Sequence, residues 1–344
     1  MADRQLTRAG RALADGWRLT AGLAPLGEGH INDTLLATTA TSERFVLQRI
    51  NQTVFADPER VMGNLLRVIR HLETRSAGLL PGLVATRSGA FAHVDTAGDW
   101  WRLWHYVPDG RSLGRTSDPA VCAAAGEAFG RFQRLLADLP GPALEPTIPG
   151  FLELAVYLER FDTLARGAQA DASVADACGS MAFVDAHRNL AARFPKQQDL
   201  IHGDCKLNNL IFAAAEPRVL AVLDLDTVMV GHWAWDLGDL ARSVLMGTRA
   251  PEQARSALDA LCAGFAAGSG RRQIEPQVVI AAAAYVTFML GIRFLTDHLE
   301  GDRYFRVDRR GENLERAREQ FQLLRRLDPG SADHHLAPPV RPGR

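Results

Sequence analysis

Two spacings of apolar residues divide this chain, and one gives way to the other near Pro108-Asp109-Gly110. Before that point, after a first amphipathic helix, the apolar stretches are short and strand-like. TLLAT (34–38) and RFVLQRI (44–50) flank a turn at Ala40-Thr41-Ser42 and predict a hairpin. Asp57-Pro58 supplies a helix N-cap and a proline suited to the first turn. Val61, Leu65, Val68 and Leu72 then line one face of a helix that ends near Gly78. AFAHV (90–94) and DWWRLWHYV (99–107) are two more strand candidates, joined through Thr96-Ala97-Gly98-Asp99.

Beyond residue 110 the period becomes helical, over about 118–138, 151–166, 170–193, 233–246, 251–268, 276–299 and 311–327. The only strand-like pieces there bracket HGDCKLNN (202–209) and VLAVLDLD (219–226). The pattern predicts a β-rich lobe over 1–107, a hinge at 108–110, a helical lobe over 111–327 and a disordered Pro/Gly-rich tail over 328–344.

Composition narrows the class. The chain has 344 residues, 47% apolar and 23% charged, with a net charge of −1. No global field points to nucleic acid or an anionic membrane surface. Cys122, Cys178, Cys205 and Cys262 are scattered, without spacing for zinc or a redox dithiol, which fits a reduced cytoplasmic setting. The N-terminus, MADRQLTRAGRALADGW, lacks the continuous apolar centre of a signal peptide. VVIAAAAYVTFMLGI (278–292) is too short a run to span a bilayer and predicts a buried core helix.

The polar stretch between strands carries the chemistry. Transfer of a γ-phosphoryl group needs a carboxylate to orient the attacking hydroxyl and accept its proton, with oxygen ligands for Mg²⁺. Asp204 is followed by Asn209 at the spacing of that template, and Asp224 ends the apolar run VLAVL. Two strands joined by a turn bring Asn209 and Asp224 to one metal. A loop with one solvated Asp explains one or two of these residues, but not both spacings together with the apolar brackets. Asp204 is thus the candidate base, and Asn209 and Asp224 the magnesium ligands. His202 buttresses the loop. Lys206 meets either the transferred phosphate or a neighbouring carboxylate, and Asp226 is either a metal neighbour or a loop cap. Cys205 reads as a small packed side chain. Gly203 stands where a protein kinase has Arg, and WAWDLGDLARSVL follows Asp226 too closely for a peptide-docking segment. A small-molecule acceptor follows. Asp236 and Asp239 on that helix read as hydrogen-bonding the loop.

For the nucleotide, Gly27 and Gly29 of GEGHINDT (27–34) let backbone amides approach phosphates. The chain has two lysines, Lys196 and Lys206, so any cation in the first lobe is arginine. On RFVLQRI the candidates are Arg49 and Arg44, with Gln48 on the cleft face if strand parity so places it. Arg49 is favoured, with Glu59 as a partner, although the helix macrodipole alone explains a Glu there. Trp104-His105-Tyr106-Val107 offers backbone groups to adenine, or places its rings in a core.

Assembled, these residues resemble the aminoglycoside/choline-type phosphotransferase superfamily, and within it the N-acetylhexosamine 1-kinases. GHINDT, FVLQRIN, HGDCKLNN, LDLDTVMVG, IRFLTDHLEGDRYF and NLERAREQF carry the resemblance, in order, from about residue 25 to 325. HGD followed after four residues by Asn marks only the superfamily, whereas GHINDT, LDLDTVM and RFLTDHLEGDRYF are much narrower. The resemblance implies an α+β, protein-kinase-like bilobal fold and ATP- and Mg²⁺-dependent phosphorylation of a sugar's anomeric hydroxyl. It implies that Asp204 is catalytic, that Asp224 holds magnesium, and that His30, Arg293 and Tyr304 grip the sugar. A Thr is common in that family where Cys205 stands. On spacing alone, Arg293 and Asp297 equally form an i,i+4 pair, and Tyr304 equally a core residue. The alternatives are a superfamily kinase for another hydroxyl and a non-catalytic nucleotide-binding regulator.

Overall fold

The first helix, α1 (Ala2–Trp17), turns Ala9, Ala12, Leu13 and Trp17 to one side. That stripe covers a sheet built from β1 (Ala21–Pro25), β2 (Asp33–Thr39), β3 (Arg44–Arg49), β4 (His93–Val94) and β5 (Trp100–His105). The strands are antiparallel in the order β1-β2-β3-β5-β4. Leu47 pairs with Leu35 on one side and Leu103 on the other, so three leucines lie in one row beneath α1. The computed structural model describes residues 2–327 apart from 28–30, 77, 168–171, 193, 195–198 and 249. The chain divides into two compact units, Met1–Gly110 and Arg111–Arg344.

Local chemistry explains the connections of the first unit. Ser42 takes a left-handed φ of 65° in the predicted hairpin turn. Asp57 caps α2 (Pro58–Glu73) by accepting from the Arg60 amide at 3.0 Å, and Val61, Leu65, Val68 and Leu72 are buried. The helix ends before Gly78, because the amides of Arg75 and Ser76 both close on the Leu72 carbonyl. β4 is shorter than AFAHV. Asp95 ends it by accepting from the amides of Ala97 and Asp99, and Arg8 of α1 holds the same carboxylate at 2.7 Å.

β6 (Gly110–Ser112) lies where the chain passes from one unit to the next. It forms a three-stranded sheet with β8 (Leu210–Ala213) and β9 (Val219–Val222), while β7 (Asp199–Ile201) pairs with β10 (Met229–Gly231). β6 and β10 escape the sequence reading because three residues are too few to show alternation. The helices are α3 (Pro119–Leu136), α4 (Leu154–Gly167), α5 (Ala172–Ala186), α6 (Trp233–Leu245), α7 (Pro251–Ser269), α8 (Pro276–Leu299) and α9 (Glu312–Leu327). By length and composition α8, at 24 residues, is long enough to cross a membrane, unlike the shorter apolar run within it. It is instead a core helix, with 72% of its most apolar window buried.

α3 and α7 cross with their backbones nearly touching. A Cβ on Gly126 or Gly130 falls 2.3 or 2.5 Å from the carbonyl of Leu261 or Phe265. On Gly264 or Gly268 it falls 1.9 or 2.1 Å from that of Ala123 or Glu127. Only hydrogen fits at these four positions. The crossing matters for the site because α3 also carries Phe129, Phe132 and Gln133. Gly264→Ala is expected to destabilise the protein by about 1–3 kcal/mol through overpacking. Gly179→Ala, on exposed helix with open space around its Cβ, is expected to stabilise by about 0.5–1 kcal/mol. Thermal melts of the two variants check the contrast, and equal shifts contradict it.

Candidate active site

The site is built from the backbone of residues 202–204 outward. Asp236, in the first turn of α6, accepts from the amides of His202 and Gly203 and from Gln133 Nε2 of α3, each at 2.8 Å. Its charge thus sits among donors at a helix N-terminus, where the macrodipole favours it. Gly203 has a φ of +83°, and a Cβ there lies 2.6 Å from the Thr227 carbonyl. Glycine is required on both counts. The Thr227 hydroxyl donates to the His202 carbonyl at 3.0 Å, closing the loop from its other side.

His202 connects this loop to the second strand pair. Its ring is fully buried, edge-on to Phe129 and Phe132. Nε2 donates to the Leu223 carbonyl at 2.8 Å and Nδ1 accepts from the Asp204 amide at 3.3 Å. β8 pairs with β9 through Leu210 and Val222, and the Leu223 amide continues the ladder onto the Asn209 carbonyl at 2.8 Å. Asn209 and Asp224 therefore leave the ladder side by side, as the two apolar brackets predict. Asp224 adopts a left-handed φ of 60° and ψ of 64°, a conformation that Asp tolerates better than most residues.

The side chains converge on one oxygen. Asp204 Oδ2 accepts from Lys206 Nζ at 2.7 Å and from Asn209 Nδ2 at 3.0 Å, while Oδ1 has no partner among the described residues. Asn209 Nδ2 also donates to the Asp204 carbonyl at 2.8 Å, and its own Oδ1 stays open. Of the two readings of Lys206, its partner here is a carboxylate. Asp226 is buried, and its carbonyl accepts from Thr147 at 2.6 Å. Cys205 is packed out of solvent, its thiol pushed well up by burial and by Asp236 and Asp239. Asp239 does not bond the loop as expected; it pairs with Arg242 at 2.7 Å.

Electrostatics drive the two acids apart. Burial raises Asp204, but the charge and hydrogen bond of Lys206, with Asn209, outweigh it and hold the carboxyl below its ordinary range. Lys206 loses from burial yet is raised on balance by Asp204 and Asp224, so it stays charged. Asp224 is pushed up to about 6, first by desolvation and then by Asp226 and Asp204. One face of Asp224 is open to solvent, so that desolvation comes from the density of protein behind it. Separation of this kind assigns acids their tasks.

α8 and the turn after it bring in Arg293 and Tyr304. The Arg293 guanidinium donates to Tyr304 Oη at 3.3 Å and feels the Asp204 charge. It does not pair with Asp297. That carboxylate accepts instead from the amides of Arg303, Tyr304 and Phe305 at 2.8 to 2.9 Å, and from Asn313 at 2.9 Å. Asp297 thereby shapes the turn that presents Tyr304. Phe151 and Tyr157 also face Arg293, at ring distances of 5.2 and 5.4 Å. Sequence reasoning missed both, since they lie far from it in the chain with no motif of their own.

Of the nucleotide candidates, Gly27 has a positive φ of 73° with open space around it, while Gly29 and His30 lie outside the described residues. Arg49 is paired with Asp33, and with Asp99 at 2.8 Å, rather than with Glu59. It shares strand parity with Leu47, on the face covered by α1, and Asp99 also binds Arg8 of that helix. These two carboxylates commit Arg49 to the sheet. Gln48 is on the opposite face, accepting from Arg102 and Trp104 and donating to Thr34. Trp104 is buried, the His105 amide donates to Gly82, and Tyr106 lies under the Arg44 guanidinium.

Among the described residues no three His, Cys, Asp or Glu side chains form a metal-holding set. Magnesium carried on nucleotide phosphates needs only one or two protein ligands. The crowded carboxylate of Asp224 and the open Oδ1 of Asn209 fit that requirement.

Residues 22–274 match the model of the phosphotransferase enzyme family, and the chain belongs to that family. Solved structures with the same fold include a choline/ethanolamine kinase family protein from Mesorhizobium loti. It has 19% identity over 95% of this chain and 97% of that one, at a TM-score of 0.60. Amicoumacin kinase in complex with AMP-PNP and Ca²⁺ has 15% identity over 95% of each chain, at 0.62. A microcompartment-associated aminopropanol kinase has 18% identity over 93% and 96%, also at 0.62. Membership of that family marks the chain as a phosphotransferase.

Because the folded chain holds the Asp224 proton more tightly than the unfolded chain, this group's contribution to stability is present at low pH. It is lost as pH rises from the ordinary carboxylate range through about 6. In the metal-free protein, carboxyl NMR is expected to show Asp224 titrating near 6. Asp226→Asn is expected to lower that midpoint by removing a like charge. A wild-type midpoint in the usual Asp range contradicts this.

Proposed function

We propose that the protein transfers the γ-phosphoryl group of ATP to the anomeric hydroxyl of an N-acetylhexosamine-like sugar, giving a sugar 1-phosphate. The observation that carries the reading is the arrangement at Asp204. Two donors hold its Oδ2 and leave Oδ1 open, which is how a base is oriented toward a single hydroxyl. In this mechanism Oδ1 takes the proton of the anomeric hydroxyl as that oxygen bonds to the γ-phosphorus and the bond to the departing ADP breaks. Lys206 keeps Asp204 ionised beforehand. Its ammonium also serves to offset the charge gathering on the transferred phosphoryl oxygens. Mg²⁺, when bound with the nucleotide, supplies neutralisation of phosphate charge; Asn209 and Asp224 hold it, with Asp226 as a neighbour.

His202 and Asp236 are positioning residues, since they touch backbone rather than substrate. Arg293 and Tyr304 bind the acceptor, together with His30. Gly27, Gly29 and the backbone of Trp104, His105 and Tyr106 serve the nucleotide. The choice of a sugar rests on the resemblance to N-acetylhexosamine 1-kinases, carried by LDLDTVM and RFLTDHLEGDRYF, and is supported by the contact between Arg293 of α8 and Tyr304 of the turn after it. The structural neighbours named for choline, ethanolamine and aminopropanol support a different hydroxyl as the second reading.

Phosphorus NMR with ATP, Mg²⁺ and free sugars beside their methyl glycosides separates the two. A 1-kinase phosphorylates the free sugar and not the blocked one; product from the methyl glycoside moves the assignment to another hydroxyl. Asp204→Asn is expected to lower kcat by ~10²–10⁴ while nucleotide affinity changes by less than about threefold, the difference between lost chemistry and lost binding. Near wild-type turnover in that variant removes Asp204 as the base.

A further inference from the structure

Arg293 is an unusual resident for an acceptor site. Its guanidinium carbon lies 5.2 Å from the ring of Phe151, 5.4 Å from Tyr157, 5.5 Å from Tyr304 and 5.3 Å from Phe305. Four aromatic rings from three separate segments thus surround one cation, each within the range of cation–π attraction. No carboxylate among the described residues forms an ion pair with it. Asp297, one helical turn away, is fully engaged by three backbone amides and Asn313. The rings hold the guanidinium without neutralising it, so its full charge is felt nearby.

Lys206, the lysine of the site, is already matched, because it sits on Asp204. Arg293 is therefore the unmatched charge on the acceptor side. An electron-rich cage of this kind attracts an ammonium group when empty. Filled by the protein's own cation, it does the reverse.

We propose that Arg293, held by Phe151, Tyr157, Tyr304 and Phe305, selects acceptors by charge, admitting neutral polyhydroxy compounds and excluding alcohols that carry an ammonium group. This rests on Asp204 marking the acceptor site and deepens the reading above, because it separates an N-acylated sugar from its free-amine counterpart. It also separates this chain from amino alcohols of the kind named for its structural neighbours. Like-charge juxtaposition is an established way to reject a wrong partner, and a guanidinium cannot relieve the conflict by losing its proton. Arg293 thus acts as a specificity residue, and the four rings as positioning residues.

Saturation-transfer NMR on the full chain with AMP-PNP and Mg²⁺ tests this with pairs of similar compounds that differ in charge. One pair is N-acetylglucosamine and glucosamine, the other 1,3-propanediol and 3-amino-1-propanol. The neutral member of at least one pair is expected to bind at least tenfold more tightly than its cationic partner. Arg293→Met, which keeps the volume and an aromatic-compatible sulfur, is expected to shrink that ratio to threefold or less; Arg293→Lys is expected to preserve it. Equal binding of both members by the wild type overturns the proposal. So does an unchanged ratio in Arg293→Met, or the absence of any binding from both pairs. Neutral-selective binding without sugar 1-phosphate formation leaves charge selection standing and removes the sugar 1-kinase reading instead.

Discussion

One carboxylate organises the candidate site without entering its chemistry. Asp236 gathers two successive backbone amides and the Gln133 amide at 2.8 Å. A buried charge costs several kcal/mol unless its hydrogen bonds are met. Here they are met by the loop itself, so the loop and the charge stabilise each other. From that anchor the geometry propagates outward. Gly203 turns where only glycine fits, and His202 reaches across to Leu223. The next ladder bond sets Asn209 beside Asp224. The close crossing of α3 and α7 supports the same structure from behind, because α3 supplies both phenylalanines around His202 and the glutamine on Asp236.

The charges built on this frame have distinct tasks. Lys206 and Asn209 stabilise the ionised form of Asp204 and occupy only one of its oxygens. Asp224, crowded by Asp226 and Asp204, is poised to prefer either a proton or a cation. Arg293 is held by aromatic rings instead of acids. Two carboxyls shifted in opposite directions and a guanidinium without an acid partner among the described residues are thus set apart by their surroundings, not by their intrinsic pKa values.

Much of this frame was legible in the chain. Period-two and helical patterns indicated the mixed fold, and the apolar brackets around HGDCKLNN placed Asn209 and Asp224 on neighbouring strand ends. Asp236 was legible as a loop partner because it begins a helix directly after the motif. Other features had no local signal. β6 and β10 are three residues long, shorter than any periodicity test can resolve. The four helix-crossing glycines are ordinary helical residues until the two helices are placed together. Arg49 was assigned to phosphates because an arginine on that strand was the available cation; Asp33 and Asp99 engage it through pairings that only the folded sheet reveals. The aromatic ring around Arg293 likewise draws on segments that are remote in the chain and become neighbours only in the folded unit.

The central claim is that the ladder from His202 to Leu223 presents Asn209 and Asp224 to one divalent ion while Asp204 remains free for the acceptor. Electron paramagnetic resonance of Mn²⁺ with AMP-PNP tests it most directly. The wild type and Asp204→Asn are expected to show the same protein-bound Mn²⁺ signal, and Asn209→Ala and Asp224→Asn are expected to weaken it strongly. Undiminished Mn²⁺ binding in Asp224→Asn, or its loss in Asp204→Asn alone, contradicts the account.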